Sequence, residues 1–61
     1  MTRLLLTIPE AAAALAVSRS KLYQLIASGA VTSIRIDGSR RVPVSALQDY
    51  ITHLISAERA A

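Results

Sequence analysis

Apolar positions in the first half of the chain recur at helical spacing in two short blocks. The first is Ile8, Ala11, Ala12 and Leu15, and the second is Leu22, Leu25 and Ile26, with Ala16-Val17 interrupting the period between them. Each block has its own start signal. Thr7 with Glu10 three residues later is a capping box, and Pro9 falls in the first turn, where no N–H is required. Ser18 is a second N-cap, and Gly29 is the residue type suited to a left-handed helix end. The spacing therefore predicts one helix beginning at Ile8 and a second over Arg19 to Ser28, joined by a tight turn.

After Gly29 the period changes to two. Val31-Thr32-Ser33-Ile34-Arg35-Ile36, then Asp37-Gly38, then Ser39-Arg40-Arg41-Val42 predict a β-hairpin. Two registers fit. A two-residue Asp37-Gly38 loop pairs Ile34 with Arg41, whereas a three-residue loop, Asp37 to Ser39, pairs Ile34 with Val42 and Arg35 with Arg41. The second is favoured because it gathers two apolar residues on one buried spot. It sets like charges opposite each other, a cost that a polyanion along the hairpin would remove. Gly38 is expected at positive φ.

Pro43 ends the ribbon, and a last helix is expected to open near Val44 or Ser45. Leu47, Tyr50, Ile51, Leu54 and Ile55 stand at i, i+3, i+4, i+7 and i+8, which predicts a stripe facing the core, with Tyr50 packed and His53 off the stripe in solvent. Leu4-Leu5-Leu6 predict a short extended segment against the core, and Glu58 to Ala61 a fraying tail. The expected fold class is thus mainly α with a small β-hairpin: three helices plus a two-stranded wing in a single domain over residues 1–61.

Charge sharpens this picture. The chain has 61 residues and a net charge of +3. Arg19, Lys21, Arg35, Arg40 and Arg41 stand against Asp37 alone between positions 19 and 41, so the excess lies in the second helix and the hairpin. With Leu22, Leu25 and Ile26 inward, Ser20, Gln24 and Ala27 lie on the opposite face, flanked by Lys21 and Tyr23. No acidic residue occurs between Glu10 and Asp37, although a merely solvated helix would commonly carry Glu–Lys pairs. Two short helices with a tight turn form a helix-turn-helix, whose common use is to lay its second helix in a DNA groove, and phosphate neutralisation supplies much of the affinity of such proteins.

Composition narrows the alternatives. Cysteine is absent and there is one histidine, so disulfides and thiolate metal sites are excluded and no metal or cofactor is expected. No histidine or lysine is placed by a recognisable motif to activate a serine, no Gly-rich phosphate loop is present, and the carboxylates fall on different elements; no catalytic residues are assigned. The longest apolar run, Ala11 to Val17, is far short of the ~20 residues that span a bilayer, and a signal peptide's basic start and long apolar stretch are missing. A cytoplasmic protein without membrane contact is expected.

Leu5-Leu6-Thr7, Pro9-Glu10-Ala11-Ala12, Val17-Ser18-Arg19-Ser20, Leu22-Tyr23, Ser28-Gly29, Ile34-Arg35, Gly38, Arg41-Val42-Pro43 and Ala46-Leu47 closely resemble the excisionase-type, MerR-like winged helix-turn-helix DNA-binding family. The resemblance covers about Leu4 to Ile55. It implies that the helix after the Val-Ser turn enters the major groove, that the hairpin wing tracks the backbone or the adjacent minor groove, and that the final helix packs behind. It also implies that Arg19, Ser20, Tyr23 and Gln24, with Lys21 on the same helix, meet bases or phosphates, while Arg35, Arg40 and Arg41 serve the wing. The resemblance further implies a bacterial or phage-encoded, nucleoid-associated protein; the long coiled coil and effector domain of full MerR regulators are not expected, and neither is a ligand-sensing role. The expected function is sequence-specific binding of double-stranded DNA as an excisionase beside an integrase or other recombinase, by a monomer that assembles side by side on DNA. The alternatives are a small prophage-type transcriptional regulator and a basic protein-interaction module.

Overall fold

A computed structural model of the chain describes residues 4–60, so Arg3 and Ala61 lie outside it. In order come β1 (Leu5–Leu6), α1 (Ile8–Leu15), α2 (Arg19–Ala27), β2 (Ile34–Ile36), β3 (Ser39–Pro43) and α3 (Val44–Ala60). Three helices and a small antiparallel sheet make a winged helix-turn-helix. The sheet has three strands, ordered β1-β3-β2, where a two-stranded wing was expected. The extra strand is the leucine segment before α1, which pairs Leu5 with Pro43 and Leu6 with Val42.

Both helix starts follow the hydroxyl-cap chemistry. The Glu10 N–H donates to Thr7 Oγ1 at 3.3 Å and the Thr7 N–H donates to Glu10 Oε1 at 2.9 Å, completing the capping box. The Lys21 N–H donates to Ser18 Oγ at 3.1 Å. The turn between the helices is a Schellman closure: the Val17 N–H reaches the Ala12 carbonyl at 3.0 Å and the Ala16 N–H the Ala13 carbonyl at 3.1 Å. This places Ala16 at φ 58°, a left-handed conformation unusual for alanine. α2 ends on Gly29 at φ 85°, whose N–H donates to the Ile26 carbonyl at 3.1 Å.

Ile8, Ala11, Ala12, Leu22, Leu25, Val31, Val42, Ala46 and Leu47 form the buried core, with Leu6, Leu15, Val17, Ile26 and Tyr50 packed against it. The stripes expected for the first two helices are therefore the ones buried. Val31 differs from the sequence reading. It precedes the strand instead of opening it, and it is buried in the loop after α2, with its N–H bonded to the Leu25 carbonyl at 3.1 Å.

Three expectations are corrected. The hairpin uses the two-residue loop, with Ile34 opposite Arg41, Arg35 opposite Arg40 and Ile36 opposite Ser39. Asp37 and Gly38 both have positive φ, 51° and 80°, the signature of a type I′ turn whose twist matches the strands it joins. Burial could not overrule that turn, because Val42 takes Leu6 as its partner across the ladder and leaves Ile34 40% exposed. The stripe of α3 is buried only at its start: Leu47 is in the core, whereas Ile51, Leu54 and Ile55 are 43–47% exposed because the 17-residue helix continues past the core. Finally, Glu58 to Ala60 belong to α3, where helix-forming residues and Arg59 in the last turn suit the negative end of the dipole.

Candidate nucleic-acid interface

Leu22, fully buried, and Leu25 fix the roll of α2, so its opposite face must look outward. Arg19, Ser20, Lys21, Tyr23 and Gln24 are all exposed, Tyr23 by 52%. Helical geometry places Ser20 and Gln24, four apart, in one row at the centre of that face. Arg19 and Tyr23 share one flank and Lys21 takes the other.

The first turn of α2 is electrostatically unusual. The partial positive charge of a helix N-terminus favours acidic neighbours, as Glu10 provides for α1. α2 has no acid there and carries Arg19 and Lys21 instead. That placement costs helix stability in the isolated protein. It concentrates two full charges and the helix's own positive end at one point, an arrangement complementary to a phosphate.

The wing residues divide between two faces. Side chains alternate along a strand, so Arg35, Arg40 and Ser33 lie on one face of the hairpin, in line with buried Val42 farther in. The Arg40 guanidinium donates to Ser33 Oγ at 2.6 Å, which draws that charge along the strand away from its opposed Arg35. Arg41 is on the reverse face opposite Ile34, half-buried, with its guanidinium donating to the Arg40 carbonyl at 3.0 Å. The three wing arginines were expected as a set; the two-residue loop unites Arg35 with Arg40 and separates Arg41.

Elsewhere a cleft of about 420 Å³ opens between the loop after α2 and the start of α3, lined by Gly29, Thr32, Ser45, Asp49, Tyr50 and His53 among others. None of the residues expected to meet DNA lines it, and its carboxylate marks it as distinct from the cationic surface. Tyr50 is half-buried against the core and His53 is exposed, as their positions on the helix predict. Among the described residues, no group of three His, Cys, Asp or Glu side chains could hold a metal ion, and no helix is long and apolar enough to cross a membrane.

A helix pair with an outward polar face, followed by a basic hairpin, defines a winged helix-turn-helix of the DNA-binding class. Residues 5–54 match the helix-turn-helix domain family, and the chain belongs to its excisionase-type branch. One relative, from Streptomyces ambofaciens and named "Excisionase", is 55% identical over 47 residues, spanning 77% of this chain and 76% of that protein. Another, from Saccharopolyspora erythraea and named "Probable excisionase", is 48% identical over 59 residues. That alignment takes in 97% of this chain and 60% of the relative. No solved structure gives a significant match.

Proposed function

We propose that this chain is an excisionase: a sequence-specific double-stranded DNA-binding protein that arranges DNA around a separate integrase and performs no strand chemistry itself. The observation that carries this reading is the first turn of α2, where Arg19 and Lys21 occupy positions that helix stability alone would give to acids. α2 enters the major groove. Gln24 and Arg19 read base edges there, glutamine being suited to adenine and arginine to guanine, while Ser20, Lys21 and Tyr23 hold the backbone beside them. Arg35, Arg40 and Arg41 secure the wing on the flanking phosphates. The protein is a monomer in solution and assembles side by side on DNA.

The test has two parts. Five clustered cations neutralise roughly four to six phosphates, so the affinity for duplex DNA falls with salt at a slope of about −0.9 per phosphate. An affinity indifferent to salt contradicts the charge argument. In vitro recombination with the cognate integrase, with and without this chain, then tests the role: excision yield rises when it is added. An unchanged yield together with altered transcription from a nearby promoter would instead make it a transcriptional regulator.

A further inference from the structure

The wing combines charge with an unexplained apolar surface. Ile34 and Ile36 are 40% and 44% exposed on the hairpin face opposite Arg35 and Arg40. Ile36 is the last strand residue before the type I′ turn, and it faces only Ser39 across the ladder. The turn itself needs two residues at positive φ and takes Asp37 and Gly38, so the extreme tip carries a carboxylate. A tip of that kind is poorly suited to gripping a phosphate. The cations sit farther back, Arg41 on the isoleucine face and Arg35 and Arg40 on the reverse.

Resting on the DNA-binding reading above, the geometry points to Ile36 as an apolar wedge that the wing sets into the minor groove, with Ile34 against the groove wall. The minor groove is only about 6 Å wide, too narrow for a two-stranded ribbon but open to side chains at its tip. Branched apolar side chains placed there unstack a base step and kink the duplex toward the major groove, most readily at TA or CA/TG steps. The arginines hold the phosphates on either side while the step opens. Arg41 shares this apolar face, and Arg35 and Arg40 line the reverse of the same ribbon, so charge complementarity selects as its occupant a DNA groove with phosphates on both sides; a protein laid on the isoleucines alone would leave two of the three guanidinium groups unmet. Binding and bending therefore separate within the molecule, α2 supplying most of the sequence readout and Ile36 the deformation.

The experiment uses the full chain and a duplex selected from a random pool by the wild-type protein, with fluorophores at its two ends to report bending. Wild type brings the ends closer on binding. Ile36→Ser weakens binding about tenfold, as expected for an apolar side chain that loses its burial, and abolishes the approach of the ends. Ile36→Lys is the decisive variant, because it adds a cation at the same position: the wedge reading has it bind more weakly than wild type and leave the duplex straight. Tighter binding with unchanged bending would overturn the wedge and leave a purely electrostatic wing. Arg35→Ala lowers the salt slope and retains the bend in the complexes that form. Helical circular dichroism unchanged in all three variants confirms that an exposed hairpin tip, not folding, has been altered. If wild type binds no duplex, both readings fall; if it binds and Ile36 is indifferent, this one alone falls.

Discussion

α1 and α2 are nearly equal in length, open on a hydroxyl cap and close on a left-handed residue, yet they are built for different ends. α1 places an acid in its first turn and buries the small side chains of Ala11 and Ala12, which lets its neighbours approach closely. α2 places cations in its first turn and buries Leu22 and Leu25. The first arrangement follows the charge rule for a helix start. The second breaks the charge rule and recovers stability from large apolar anchors. Where a local preference is violated beside a well-packed face, the violation marks a surface whose composition folding alone does not explain.

The sharpest way to break the comparison is to remove the anchor. Leu22→Ala leaves a cavity in the most buried part of the core and is expected to destabilise the fold by about 2–5 kcal/mol, enough to unfold a domain this small at room temperature. Urea or thermal unfolding followed at the helical signal measures it. The next effect concerns recognition. Gln24→Ala should cost about 1–3 kcal/mol on the selected duplex and little on random DNA, with stability unchanged, as gel-shift titrations on the two duplexes would register. Equal weakening on both would place Gln24 on the backbone.

Smaller changes test the two helix ends against each other. Gly29→Ala should destabilise by about 1 kcal/mol, because no atom beyond its chain neighbours lies within 4 Å of an added Cβ and the cost is the left-handed backbone alone. Ala16→Gly should do the reverse, raising stability by up to about 1 kcal/mol as the left-handed strain at φ 58° is relieved and partly offset by the entropy of glycine. The smallest effect is the most diagnostic. Arg19→Glu is expected to stabilise the free protein by about 0.3–1 kcal/mol through the helix dipole while sharply weakening DNA binding. A variant that loses both stability and binding would show Arg19 to be structural.

Chemistry within a few residues was readable from the chain. Thr7 with Glu10, Ser18, and Gly29 set the helix ends through bonds made by neighbours three to five residues away, and the outward face of α2 followed from the spacing of its leucines alone. The wing was harder. The Asp-Gly dipeptide specifies the correct register, but local pattern alone offers Ile34 as the apolar partner of Val42. The partner in the fold is Leu6, thirty-six positions earlier in the chain, and no local pattern links them.

The sequence by itself determined the three helices, their caps, the hairpin and the concentration of positive charge on α2 and the wing, because propensity, capping and turn chemistry act over one or two turns of backbone. Only the tertiary structure decided how far the core extends. It buries Val31 in a loop and adds β1 to the sheet, and it stops short of Ile51, Leu54 and Ile55 on α3 and of Ile34 and Ile36 on the wing. Hydrophobic periodicity reports which face of an element is apolar. Whether that face is covered depends on the length of the element relative to the neighbours that reach it, and those neighbours come from distant parts of the chain.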